Sequence, residues 1–239
     1  AAPKDPKPAP APPRPSLAVI LAIDGLSTEQ ILKYRPWYVA GLKRLLDEGQ
    51  IETKGRYRHI NTETGPGHAS LGAGAEPRVT GIVANTWFEI DPSGKALKAV
   101  YCTDSPQPDP RTGRSIPGPY RLEIDSLGDR LLATSPLSRV ISISSKDRSA
   151  IFMAGRSKSH AAYWFDRPTL RFATSSAYEP PADASGLVDA FNAATMGPNL
   201  GPRFGGEWQK LPAPEGAEKL PQAVAPAQLG DFQLPATGL

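Results

Sequence analysis

An α/β fold is what the sequence predicts, with a mostly parallel central sheet, helices on both faces and one turn-rich insertion. Three observations predict it. The run LAVILAI at 17–23 is continuously apolar and β-branched, as in a strand buried on both faces, and it stops at Asp24 and Gly25. A second such run, SRVISIS at 138–144, ends in the polar SKDR. Segments of helical spacing lie between and after such runs, so strand, helix, strand is the recurring unit.

Taken in order, the first fifteen residues, AAPKDPKPAPAPPRP, contain seven prolines and predict an extended tether over 1–16 with no core of its own. The Ala-Ala start suits what remains after cleavage at a small-residue signal-peptidase site, which points to export to the periplasm or medium. Residues 17–239 are read as the N-terminal portion of one domain. Asp24, just past the carboxyl end of the first strand, faces the crevice where α/β proteins bind ligands, or it caps the next helix. From Ser27 the pattern turns helical. Pro36 breaks it, and Val39, Leu42, Leu45 and Leu46 share the face of a second helix that Gly49 closes. A second strand is expected over IETKGRY.

Residues 86–122 are rich in turns, with two short strands near WFEI and LKAVY. A helix follows over about 123–134, then the 138–144 strand, then a further strand over AIFMAG at 150–155. From about 198 onward the chain is Pro- and Gly-rich with little periodicity, and the ending FQLPATGL reads as a cut within a domain.

The totals exclude some classes. No apolar run reaches the length of a membrane span. A single cysteine, Cys102, excludes an internal disulfide and a thiolate zinc cluster, and its neighbours suggest a packed thiol. The formal charge of +3 is small, and the densest cationic cluster, KGRYRH at 54–59, is read as a solvated strand edge and not as a nucleic-acid surface. Nothing marks an oligomer, and a monomer is the expectation.

The stretch NTETGPGHASLGAGAEP at 61–77 has hydroxyls, a histidine and four glycines but almost no bulky apolar residue. Pro66 suits the first turn of a helix, which places Thr64 at a helix N-terminus, where free N–H groups and the dipole favour an anion. Thr64 is then either a reactive hydroxyl or simply an N-cap. A Walker A loop is excluded, because no G-K-[ST] follows the glycines. A threonine without a nearby base needs a metal to ionise it, and Asp24 at the same rim of the sheet is a suitable ligand.

The blocks LAVILAIDG, GLKRLLDEG, NTETGPGHASLGAGAEPRVTGIVANTWF and SSKDRSAIFMAGRSKSHAAYWFD follow one another over 17–166. Together they resemble the alkaline phosphatase superfamily, and within it the secreted bacterial monoesterases of the PafA/PhoK type, relatives of the nucleotide pyrophosphatase/phosphodiesterases. The resemblance implies a two-zinc site and hydrolysis of small phosphate monoesters through a phosphothreonine intermediate. The pattern T-x-x-[GN]-H puts the nucleophile at Thr64, with His68 structural. Asp24 corresponds to a zinc ligand, as does Thr64. Asn85 matches an asparagine that binds a phosphoryl oxygen, and Lys146 and Arg148 match the Lys-x-Arg pair of the monoesterase branch.

Two cations suit the second charge of a monoester, which a diester lacks. If a strand continued through 146–148, the pair would project the same way; alone, it would read as surface charge. The remaining zinc ligands of the family are aspartates and histidines that this chain does not supply. Its three histidines, His59, His68 and His160, form no ligand pattern, and His160 is expected on a surface or loop. The competing readings are a phosphodiesterase/nucleotide pyrophosphatase, a sulfatase, which the absence of C-x-P-x-R disfavours, and a non-catalytic anion-binding module.

Overall fold

The structure, a computed structural model, describes residues 15–91 and 93–196. The expected tether lies almost wholly outside the described residues, as does the segment from 198 onward. The described chain forms short helices around two small sheets. Ser27 opens α1 (Thr28–Lys33) with a capping box, its hydroxyl accepting from the Gln30 amide while the Gln30 side chain accepts from the Ser27 amide. Pro36 sits in a single 3-10 turn, Arg35–Trp37, and α2 (Gly41–Glu48) follows, closed at Gly49. Of the apolar face expected on α2, only Leu46 is buried, and Val39 and Leu45 stay exposed.

The strands expected over 17–23 and 51–57 do not form. Leu17, Val19, Leu21 and Ile23 are all more than half exposed, and neither segment has a ladder partner among the described residues. An apolar, β-branched run becomes a strand only where another strand accepts its hydrogen bonds, and the described residues offer neither segment such a neighbour. KGRYRH is accordingly solvated coil and not a strand edge.

The ordered centre is α3 (Thr64–Ala73) packed on α6 (Asp147–Ala154). A Cβ on Gly72 would stand 2.3 Å from the Phe152 carbonyl oxygen, so only glycine allows this approach of the two helices. Short α4 (Pro77–Thr80) follows α3. The insertion contributes a hairpin of β1 (Thr86–Ile90) and β2 (Leu97–Tyr101), as expected. Helix α5 (Leu127–Thr134) begins at a Ser126/Asp129 capping box, a few residues later than its pattern suggested.

The second sheet has β3 (Ile141–Ser144) at one edge, parallel to β4 (Ala161–Asp166), which pairs antiparallel with β5 (Arg171–Ala173). The sheet is thus mixed, and β3–α6–β4 is its parallel crossover unit. Helix α7 (Ala182–Thr195) closes the described chain, with Asn192 bonded to both the amide and the carbonyl of Phe172.

The strand expected over 150–155 is instead the body of α6. Ala150, Ile151, Phe152 and Ala154 are all fully buried, so the helix is apolar on nearly every side and shows no period by which to distinguish it from a strand. Ile151 and Phe152 join Ala69, Ile82, Cys102, Leu122 and Tyr178 in the main core, with Trp87, Tyr101 and Trp164 packed against it. Burial of each large side chain contributes about 1.5–3 kcal/mol. The core therefore joins α3, α6 and the insertion hairpin, which are the elements that carry the candidate site.

Candidate functional site

Helices α3 and α6 run in the same direction. Lys146, the N-cap of α6, reaches Thr64 at the start of α3, while Gly72 meets Phe152 further along both. Two helix N-termini thus converge on one spot, each adding partial positive charge that favours an anion.

Thr64 is the first residue of α3 and is buried, and Glu63 occupies the N-cap without a side-chain capping bond. The Thr64 hydroxyl does not cap the helix. Its Oγ1 donates to Asp24 Oδ2 at 2.9 Å, across 40 residues of chain. Lys146 Nζ donates to the same Oγ1 at 3.4 Å and lies 3.6 Å from Asp24 Oδ2. The Thr64 hydrogen bond lowers the Asp24 pKa below its ordinary value; burial opposes this, and the Lys146 ammonium adds to the lowering. Asp24 therefore stays a carboxylate at neutral pH.

Helix α3 is anchored around this contact. His68 Nδ1 donates to the Thr64 carbonyl at 2.8 Å, a structural bond that fixes the first turn. The Asn85 amide donates to Glu63 Oε2 at 2.6 Å, its carbonyl accepts from the Cys102 amide, and Asn61 Nδ2 holds the Val83 carbonyl. The Asn85 side chain is oriented by Gly65, whose N–H donates to Oδ1 at 2.7 Å. Oδ1 is thereby committed, so the Nδ2 group of Asn85 is its donor end. A Cβ on Gly65 would lie 3.1 Å from that Oδ1 and 3.2 Å from Cys102 Sγ, a second place where only glycine fits without displacement. Cys102 itself is packed: burial pushes its thiol up to about 12, with the Asp147 carboxylate adding to the rise.

Lys146 and Arg148 are both at the start of α6, but they do not project together. The expectation that they share one side of a continuing strand is corrected, because the strand ends at Ser144 and Lys146 is already a helix cap. Lys146 turns to Thr64, whereas Arg148 donates through one terminal nitrogen to the Tyr101 hydroxyl at 2.6 Å. Tyr101 Oη in turn donates to Asp147 Oδ1, and Thr103 Oγ1 donates to Asp147 Oδ2, both at 2.9 Å. Tyr101, Thr103, Asp147 and Glu63 were not singled out from the sequence. Their partners are mostly tens of residues away, and no spacing motif carries such a contact.

His160 is fully buried, not on a surface or loop, with Nε2 3.8 Å from Asp129 Oδ1 and Gly128 against its ring. Burial lowers its pKa, against the raising influence of Asp129.

Asp24 Oδ2 and Thr64 Oγ1 are hard oxygen donors close enough to serve as adjacent ligands of one zinc ion. No group of three or more His, Cys, Asp or Glu able to hold a metal occurs among the described residues. The pair therefore fits part of a zinc site.

The arrangement of these elements defines a class before it defines a family. The structure superposes on the crystal structure of wild-type alkaline phosphatase PafA with a TM-score of 0.71 and 32% identity, covering 84% of this chain and 38% of that one. A PafA variant substituted at a threonine, an asparagine, a lysine and an arginine matches with a TM-score of 0.66 and 28% identity, over 80% of this chain and 36% of the variant. The fold is that of the alkaline phosphatase superfamily.

The model of the type I phosphodiesterase/nucleotide pyrophosphatase family matches residues 18–223, and the chain belongs to that family. It is 37% identical to alkaline phosphatase PhoK of a Sphingomonas species over 155 residues, which is 64% of this chain and 27% of PhoK. It is 34% identical to alkaline phosphatase PafA of Elizabethkingia meningoseptica over 70% of this chain and 31% of PafA. Alkaline phosphatase PhoV of Synechococcus elongatus is 32% identical over 83% of this chain and 35% of its own length. The chain thus spans about a third or less of the length of these curated relatives.

Proposed function

We propose that the chain carries the nucleophile and the phosphate-binding side chains of a zinc-dependent alkaline phosphatase, which hydrolyses small phosphate monoesters through phosphothreonine at Thr64. The observation that carries this reading is the contact of Thr64 Oγ1 with Asp24 Oδ2 at 2.9 Å, with Lys146 Nζ at 3.4 Å from the same oxygen. The family membership and the names of the relatives support it. So do the residue types substituted in the PafA variant, which are those of Thr64, Asn85, Lys146 and Arg148.

In this reading Thr64 Oγ1, its proton given up to solvent, attacks phosphorus in line, and the P–O bond to the leaving alcohol breaks as that oxygen takes a proton from water. Water later cleaves the phosphothreonine to release inorganic phosphate and restore the hydroxyl. Asp24 holds the hydroxyl in one orientation, and Lys146, 3.4 Å from that oxygen, meets the negative charge of the phosphoryl group. The Asn85 side-chain Nδ2 and the Arg148 guanidinium bind non-bridging oxygens of the phosphoryl group, which the two helix N-termini also favour. Zinc, when bound, supplies the positive charge that makes a threonine acidic enough to react and neutralises the departing oxygen. Small phosphorylated compounds are the substrates, and the periplasm or external medium is the place of action. Among the described residues no helix is long and apolar enough to cross a membrane.

A diesterase of the same family is the second reading, favoured by the family's own description. Rates on an aryl phosphate and on its methyl diester, measured for the zinc-loaded protein with the family's remaining zinc ligands present, separate the two. A monoester preference that vanishes with a chelator and returns with zinc supports the proposal. Zinc-independent phosphate binding without hydrolysis contradicts it and leaves an anion-binding module.

A further inference from the structure

We propose that Tyr101, on the insertion hairpin, is a positioning residue that keeps Arg148 from pairing with Asp147, so that the guanidinium charge stays available to a phosphate ester. The proposal rests on the reading of Arg148 as a phosphoryl ligand and extends it to the insertion.

Arg148 and Asp147 are adjacent in sequence and opposite in charge, yet they do not form a close pair: the nearest approach is 3.8 Å. The Tyr101 hydroxyl stands between them, 2.6 Å from the Arg148 nitrogen and 2.9 Å from Asp147 Oδ1. The direction of both bonds is forced. A guanidinium can only donate, so the phenol accepts from Arg148 and spends its single proton on the carboxylate. Thr103 Oγ1 donates to the other oxygen, Oδ2, which leaves each Asp147 oxygen with a neutral hydroxyl partner. The ring completes the restraint, because the guanidinium carbon lies 5.8 Å from its centroid.

Tyr101 is not itself an acid or base here. Burial first, and then the neighbouring Asp147, push its pKa well above the ordinary phenol value, so it remains protonated in alkaline solution. Its hydroxyl acts by occupying the space between two charges. Without that oxygen, Asp147 Oδ1 loses its donor, and the nearest replacement is the Arg148 guanidinium. A direct pair would draw the cation towards Asp147 and offset the charge that a dianionic phosphate requires. The turn-rich insertion would then contribute to substrate choice, through a residue that need not touch the substrate.

Tyr101→Phe removes only this oxygen and retains the ring packed on the core. In the zinc-loaded protein with the family's remaining zinc ligands present, the substitution is expected to weaken inorganic phosphate binding, read by calorimetry, by about tenfold. The same factor should appear in kcat/KM for an aryl monoester, with the methyl diester changed by less than about twofold. Adding Tyr101→Phe to Arg148→Ala should cost nothing more, because the two residues act as one unit. If Arg148→Ala weakens phosphate binding and Tyr101→Phe does not, the positioning role is wrong while the phosphatase reading stands. Equal losses on both esters, a lowered Tm and additivity with Arg148→Ala would make Tyr101 merely structural and overturn the proposal. If Arg148→Ala itself leaves phosphate affinity unchanged, the assignment of Arg148 fails, and this inference with it.

Discussion

Lys146 Nζ donates to Thr64 Oγ1 at 3.4 Å although the two residues are 82 positions apart. The contact joins the starts of α3 and α6, and it makes Thr64 the place where a carboxylate, an ammonium and two helix dipoles meet. An uncharged hydroxyl does not need such surroundings. The role proposed for Thr64, a hydroxyl that bears negative charge beside a phosphate, does.

Lys146 and Arg148 should matter unequally for the two ester classes. Replacing both with alanine is expected to lower kcat/KM for an aryl monoester by roughly 10²-fold or more, and for the methyl diester much less. Parallel assays on both substrates check this. Equal losses contradict the assignment of the pair to the second phosphate charge.

Asp24→Asn keeps an oxygen able to accept from Thr64 but removes the charge. Hydrolysis is expected to fall by roughly 10²-fold, with weaker zinc retention on dialysis, while the thermal midpoint without zinc changes little. Metal content by atomic spectroscopy together with steady-state rates measures both. Wild-type zinc content and rate in the variant would remove Asp24 from the site.

Gly72 tests the packing beneath the site. A methyl group there meets the Phe152 carbonyl at 2.3 Å, so Gly72→Ala must push α3 and α6 apart at a cost of about 1–3 kcal/mol. Denaturant unfolding should register that loss. Gly67→Ala, whose Cβ has no neighbour within 4 Å, serves as the control and should lose far less.

The buried His160 gives stability a pH dependence of known sign. Its folded pKa lies below the ordinary 6.5 because burial opposes the charged form. Below that ordinary value the unfolded chain binds a proton that the folded one resists, so stability present above about 6.5 is lost as pH falls through the folded value. Unfolding midpoints measured from pH 8 down to pH 5 should show this slope, and His160→Gln should flatten it. An unchanged slope in the variant would place the titration elsewhere.

Much of the candidate site was legible in the sequence because its residues stand at punctuation points. Asp24 follows the end of an apolar run, and Thr64 starts a glycine-rich helix two residues before Pro66. The identities of Lys146 and Arg148 were legible too, but their directions were not. AIFMAG is buried on nearly every side, so no period distinguished a helix from a strand, and the pair was expected to project together only if the 138–144 strand continued. The run at 17–23 misled in the opposite sense. Its composition is that of a strand, but composition cannot supply a ladder partner, and the described residues contain none. Tyr101 and Asp147 lie 46 positions apart and meet only through the fold of the insertion, which no local pattern encodes.

The central claim is that the Thr64 oxygen takes up phosphorus. The zinc-loaded protein, with the family's remaining zinc ligands present, should be mixed with an aryl monoester labelled in its phosphate and quenched in acid within the first turnover. Its peptides should then be mapped by mass spectrometry. The account predicts a phosphoryl group on Thr64, lost completely in Thr64→Ala along with hydrolysis. Label on another residue, or turnover that persists in Thr64→Ala, would contradict it.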